Sequence, residues 1–335
     1  DARGYHTVTP IGNDKFIVAG GFTNTGSGPE ATDSVELIDL KAEAGQRVRR
    51  LISSNGEPQT LNAARAMHTA TYRPADGVIV IAGGVGPGGA SNVVNTIEFI
   101  DVETGTVLPD VLQLNQARAQ HGAVLMGDGS TIWLIGGRDS QSALSSTELV
   151  AIEGSQTTVT AGPSLNEARF DAEVLRITPG GGSNVMVLGG YTSTQGDVTS
   201  SYEFSSLGRD TFLRQSGWSM GTARGNPRAV ELPQTNDIVV VSGRDSGGGA
   251  VGTGEILDFT SLSDAVPYQA REASNSSYNE RADCEVTLLA TGAILMTGGI
   301  GLDQDQRTTL RVAEYFNPYD PIKAESSSSS SSSGE

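Results

Sequence analysis

Short, wholly apolar runs recur along the chain: Phe16 to Ala19, Val78 to Ala82, Ile132 to Ile135, Val185 to Leu188, Ile238 to Val241 and Ile294 to Met296. They are too short for a buried helix and rich in β-branched residues, so each predicts a strand covered on both faces. A glycine pair closes almost every run: Gly20-Gly21, Gly83-Gly84, Gly136-Gly137, Gly189-Gly190 and Gly298-Gly299. The fifth run ends in Ser242-Gly243 instead. Glycine reaches positive φ and admits close backbone approach, which predicts a sharp exit from the strand. Farther on, segments such as Ser34-Val35-Glu36-Leu37-Ile38-Asp39 and Thr96-Ile97-Glu98-Phe99-Ile100-Asp101 alternate polar with apolar. That period of two predicts a strand with two unlike faces. No useful stretch carries the period of an amphipathic helix.

These patterns belong to a repeat. Leu61-Asn62-Ala63-Ala64-Arg65 returns as Leu114-Asn115-Gln116-Ala117-Arg118 and as Leu165-Asn166-Glu167-Ala168-Arg169. Weaker copies end at Arg3, Arg224 and Arg281, and successive arginines stand 51 to 62 residues apart. The first residue of each glycine pair, or Ser242, follows its arginine by 17 to 20 residues. Each alternating segment holds one glutamate: Glu36, Glu98, Glu148, Glu203, Glu255 and Glu314. A regular period of this length is the signature of a repeat architecture. Each unit reads as inner strand, buried strand, Gly-rich loop, alternating strand and outer strand. Six such units predict an all-β, six-bladed β-propeller with four-stranded antiparallel blades. The approximate blades are 1-56, 57-109, 110-160, 161-215, 216-272 and 273-323, with a Ser-rich tail at 324-335. The tail has the length of a last outer strand, and its composition equally suits a linker.

The Arg opening the first strand, the Gly-Gly closing the second and the Glu in the third resemble the Kelch-repeat β-propeller family, in its bacterial exported type. The resemblance runs over nearly residues 1 to 320. The aromatic pair common in such blades is mostly missing, with Trp133 and Trp218 the only tryptophans.

Composition narrows function by exclusion. The 335 residues carry 22 Lys+Arg against 39 Asp+Glu, a formal charge of −17. That balance argues against nucleic acid, whose phosphates need a basic surface. No apolar run reaches the ~18 residues of a membrane span, so no direct membrane insertion is expected. Cys284 is the sole cysteine, which leaves no intrachain disulfide. Only Lys15, Lys41 and Lys323 are lysine. The chain opens at Asp1 without Met, as a mature form or a fragment would. Acidity, arginine in place of lysine and the Ser tract lead to the expectation of an extracytoplasmic protein, secreted or at the cell surface.

Candidate chemistry sits at fixed places in the repeat. Arg3, Arg65, Arg118, Arg169, Arg224 and Arg281 would ring one mouth of a central channel, where guanidinium groups hold carboxylates or phosphates bidentately. Against this, every unit also has its glutamate, and buried charges need partners. Structural pairing with Glu36, Glu98, Glu148, Glu203, Glu255 and Glu314 is therefore the favoured expectation. Three residues after the arginine stand His6, His68, His121 and Cys284, a set chemically suited to zinc. Equivalent positions on neighbouring blades need not converge, so the expectation is no metal and no cofactor. The loops after the glycine pair are rich in Gly, Ser, Thr, Asn and Asp, and form a natural binding face. Arg138 and Arg244 open two of them with the shared text Arg-Asp-Ser. Asp303 and Asp305 lack the glycine and distal glutamate of an EF-hand loop. No nucleophile elbow or zincin text appears. The expected function is non-catalytic binding of a protein or glycan, or a structural role. A carbohydrate-active enzyme or lectin on the same face is the alternative.

Overall fold

The computed structural model describes residues 2–24, 26, 28–154, 156–177, 184–206, 211–214, 217–258, 270–272, 281–303, 306–309 and 313–316. The Ser-rich tail at 324-335 lies outside them. The described residues form an all-β structure of antiparallel sheets, without a helix. Among them, therefore, no helix is long and apolar enough to cross a membrane.

The sheets repeat one order. The first runs Thr7–Gly12, Lys15–Ala19, Val35–Asp39, Val48–Arg50. The second runs Thr69–Arg73, Val78–Ala82, Thr96–Asp101, with Thr106–Val107 and Leu112–Gln113 both on its outer side. The third runs Gly122–Leu125, Thr131–Ile135, Thr147–Glu153, Gln156–Gly162. Three described strands, Glu173–Ile177, Asn184–Leu188 and Tyr202–Ser206, make the fourth. The fifth is Arg228–Glu231, Ile238–Val241, Glu255–Leu257 and Ala270–Glu272; the sixth is Glu285–Leu288, Ile294–Thr297 and Ala313–Phe316. One boundary moves. Leu112–Gln113, assigned above to the third unit, pairs with Thr96 and Ile97 of the second. Pro109 and Asp110 interrupt that outer strand, and the chain rejoins the same sheet beyond them.

The apolar runs form the second strand of every sheet, and their alternation explains their continuity. Ile79 and Ile81 pack with Ile17, Ala19 and Val35 of the first sheet. The intervening Val80 and Ala82 pack with Ile132 and Leu134 of the third. The pattern repeats onward, with Trp133 and Ile135 against Val185 and Val187, then Met186 and Leu188 against Ile238 and Val240. Val239 and Val241 meet Ile294 and Met296 in the same way. The buried strands of the second to fifth sheets thus each feed two cores, and a polar residue on either face would sit without a partner. The innermost strands touch in chain order from the first sheet to the sixth.

The glycine pair stitches one sheet to the next. In the first four pairs the second glycine donates its N–H to the carbonyl of the following unit's arginine: Gly21 to Arg65 and Gly84 to Arg118 at 2.8 Å, Gly137 to Arg169 and Gly190 to Arg224 at 2.9 Å. The first glycine has φ near +60° throughout, and in the first four pairs it lies so close that a Cβ would meet that same carbonyl, at 2.7 Å for Gly136 and Gly189 and closer still for Gly83; at Gly298 the space is open. Ser242 breaks the rule, with φ 61° and a side chain. Its hydroxyl donates to the Arg281 carbonyl at 3.0 Å, so the serine makes the stitch with its side chain.

The loops after the glycine pairs are not all irregular. In the first unit, Phe22–Asn24 and Pro29–Ala31 form a hairpin that pairs with Arg3–Gly4. In the sixth, Ile300–Asp303 and Gln306–Thr309 pair likewise with Arg281–Ala282.

Gly83→Ala should cost about 3 kcal/mol, from a left-handed alanine plus a clash with backbone that cannot move aside. Gly129→Ala, also at positive φ but with nothing within 4 Å, should cost about 1 kcal/mol. Urea denaturation of both variants checks the difference.

Candidate ligand-binding site

The repeat arginines are buried within their own sheets. Arg65, Arg118, Arg224 and Arg281 have 0% of their surface exposed and Arg169 has 1%. Each reaches its own unit's glutamate: Arg3 to Glu36 at 3.0 Å, Arg118 to Glu148 at 2.9 Å, Arg169 to Glu203 at 3.0 Å, Arg224 to Glu255 at 2.5 Å, Arg281 to Glu314 at 2.8 Å, and Arg65 to Glu98. The other terminal nitrogen donates to the carbonyl of the first residue in the glycine pair, as Arg65 does to Gly83 at 2.9 Å and Arg118 to Gly136 at 2.7 Å. The carboxylate is shared further. Glu148 accepts the backbone N–H groups of Asn115 (2.7 Å) and Gln116 (3.1 Å), and Glu203 those of Asn166 (2.7 Å) and Glu167 (3.0 Å). The six therefore present no guanidinium ring to a ligand. The idea of such a ring is corrected by their burial and by these bonds.

His6, His68, His121 and Cys284 do not come together as one ligand set. His68 Nε2 lies 3.1 Å from Thr7 Oγ1 of the preceding sheet, and His121 Nε2 lies 2.9 Å from Thr69 Oγ1. Burial, helped by the neighbouring arginine, holds His68 down to about 3 and His121 well below the usual imidazole range. Both rings are thus neutral packing elements between sheets. Cys284 is buried, and burial pushes its thiol up. Among the described residues no group of three His, Cys, Asp or Glu is placed to hold a metal ion. Asp305 lies outside the described residues.

What the repeat does converge is the position two residues after each arginine. It is occupied by Tyr5, Met67, Gln120, Asp171, Asn226 and Asp283. All six have φ between 46° and 57°. Their backbones are linked: Met67 N–H donates to Tyr5 O, Gln120 to Met67, Asp171 to Gln120 and Asn226 to Asp171, at 2.9 to 3.0 Å. Left-handed backbone costs a side-chain-bearing residue about 1 kcal/mol or more. Glycine would relieve that cost at every one of these places, and none has it.

Several side chains of this row meet a residue that follows a glycine pair. Arg138 Nε donates to Gln120 Oε1 at 2.5 Å and Nη1 to the Ala90 carbonyl at 3.1 Å. Gln120 in turn donates to Asp171. Arg244 donates to Asp283 at 2.5 Å and to the Gly248 carbonyl at 2.9 Å. Asn226 joins Asp283 at 2.9 Å and accepts from Arg228 at 2.7 Å. Tyr191 stacks on Phe170 with 5.2 Å between centroids. Tyr5, 57% exposed, meets the Phe22 ring edge-on at 6.1 Å. Arg138 and Arg244, singled out from the loops, are thus part of this cluster.

Its electrostatics are uneven. Asp171 keeps some accessible surface but is enclosed on most sides by protein, and this desolvation raises it to about 6 against the pull of Arg228 and Gln120. Glu173, two residues deeper, is raised by burial to about 7. Arg228 lies 3.7 Å from Glu173 and 3.9 Å from Glu285, so one cation serves two carboxylates. Burial also lifts the Tyr191 phenol, with Asp171 adding to it, to about 12. Burial works against the charge of Asp283 too, but hydrogen bonds from Arg244 and Asn226 hold it below the usual carboxylate range.

No family model matches the sequence, and no curated protein matches it. A solved structure described as "Structure of YjhT" is similar in fold, with a TM-score of 0.61 at 12% identity. The likeness covers 80% of this chain and 84% of that one. With the repeated antiparallel sheets, it makes the fold β-propeller-like.

Arg118→Ala should destabilise by about 3–5 kcal/mol, because it strands Glu148 in the interior. Arg138→Ala, half-buried at the cluster, should cost below about 1 kcal/mol. Denaturation midpoints of the two variants test this division. Asp171 and Glu173 keep protons in the folded chain that the unfolded chain releases near pH 4. Their contribution to stability is full below about pH 4 and is lost as pH rises through about 6 and 7. Glu173→Gln should therefore gain stability relative to the parent between pH 4 and 8. A pH-independent difference would contradict the assignment.

Proposed function

We propose that the chain is a six-bladed, Kelch-type propeller acting as a non-catalytic binding module of an extracytoplasmic protein, with its ligand on the ring of left-handed residues. Ring closure is supported by one recurring relation. His68 meets Thr7 and His121 meets Thr69, each a residue three past the arginine against one four past it in the preceding sheet. His6 feels Glu285 of the sixth sheet, the same relation across the chain ends. Val18 on the first sheet is 6% exposed although it belongs to none of the apolar clusters of described residues, as a covered outer face requires.

The observation that carries the binding reading is the absence of glycine from six left-handed positions. Strain retained where glycine would remove it points to a use for the side chains. Their chemistry is varied, from Tyr5 and Met67 to Asp171 and Asn226, which suits recognition of a protein or glycan better than repetition for stability. Acidity and the preference for arginine over lysine support an exported location.

A second reading has its own support. Asp171, beside Tyr191, and Glu173, beside Arg228, are carboxyl groups poised near neutrality, the kind of perturbation that active sites display. A carbohydrate-active enzyme is that reading.

Binding of the parent chain to glycan and peptide arrays, repeated with Asp171→Ala and Tyr5→Ala, tests the proposal. Both variants should lose at least about tenfold in affinity while remaining cooperatively folded, tenfold being 1.4 kcal/mol. Retained binding in both would place the ligand elsewhere. Turnover of a chromogenic glycoside that Glu173→Gln abolishes would favour the enzyme instead.

A further inference from the structure

The outer edges of the sheets differ in how they are protected. The first sheet's edge, Val48–Arg50, follows Arg47 and so carries three arginines in four positions. The second is broken around Pro109 and Asp110, and the three described residues of the fifth include the charged Arg271 and Glu272. The third is unlike these. Gln156–Gly162 runs seven residues with neither charge nor proline, paired along its whole length to Thr147–Glu153. Among the described residues nothing pairs with its other side. Natural sheets blunt long edges with charge, proline or interruption, because open backbone groups recruit another strand.

The hydrogen-bond parity of this edge is set by its neighbour. Ile152 donates its N–H to Ser130 and Ser146 accepts from Gly136, so the even residues there bond toward the inner strand. The odd ones bond outward, to Gln156, Thr158, Thr160 and Gly162. Thr157, Val159 and Ala161 therefore turn their backbone N–H and C=O to the open edge.

We propose that this edge pairs antiparallel with the same edge of a second copy, about a two-fold axis at Val159. In that register residue 157 faces 161 and residue 159 faces itself, so every open donor meets an open acceptor. Thr158 faces Thr160 of the other copy, a favourable cross-strand pair. The contact is isologous, as in most dimers. Charge selects the strip: two chains of −17 repel, and an uncharged seven-residue segment is where they can approach. The first sheet's arginine edge would meet like charge in the same arrangement.

Sedimentation equilibrium of the full chain over rising concentration tests this. A monomer–dimer equilibrium is expected, shifting toward dimer as salt screens the net repulsion. Thr158 and Thr160 are exposed, so changing them should leave melting unaltered. The double variant T158K/T160K sets four like charges across the seam and should weaken the dimer at least about tenfold. T158K/T160E sets each Lys against a Glu and should keep it. A monomer under every condition overturns the proposal. So does a dimer indifferent to T158K/T160K, or one weakened equally by both variants.

Discussion

Each repeat is organised by one guanidinium and one carboxylate taken out of water together. Neither is tolerable alone in the interior, because an isolated buried charge costs several kcal/mol. The structure meets this by giving both several partners. In the second sheet Arg65 joins Glu98, the Gly83 carbonyl and the Thr96 carbonyl, while Glu98 takes two backbone N–H groups from the preceding loop. The pair thereby ties three pieces of chain: the loop before the inner strand, the exit of the second strand and the third strand. The Leu-Asn-x-Ala-Arg text follows from this. Leu61 and Leu114 anchor the loop in the core, and the next two residues offer their N–H groups to the carboxylate.

The same arginine governs packing between sheets by its backbone. In the first four pairs its carbonyl receives the N–H of the preceding unit's second glycine and crowds the first, which holds adjacent sheets at fixed separation. Apolar residues on the second strands then fill the space on both sides. Ser242 shows that the requirement is a donor to that carbonyl and not glycine as such, since its hydroxyl performs the task from a left-handed backbone.

Much of this was legible in the chain. The apolar runs, glycine pairs and alternating segments marked the strands, and the constant partnership of Arg with Glu marked their pairing. The candidate site was not legible, for a physical reason. Repeats are recognised by positions that stay the same, and Tyr5, Met67, Gln120, Asp171, Asn226 and Asp283 share no side-chain chemistry. Their common property is a backbone angle, which the identity of a non-glycine residue does not announce. Variation flanked by constancy, between Arg118 and His121 for example, was the available signal. The Arg-Asp-Ser loops did lead to Arg138 and Arg244, because a repeated loop text stands out.

The backbone ladder that joins the left-handed residues has an evolutionary consequence. It is made of main-chain groups only, so it is indifferent to which side chains it carries. Two residues away, the arginine admits no exchange without collapse of its pocket. A lineage could therefore redraw what this surface recognises, one residue at a time, while the sheets beneath stayed unchanged. Such a division of labour lets recognition drift quickly on a scaffold that drifts slowly. It would leave relatives alike in shape and hard to match by sequence.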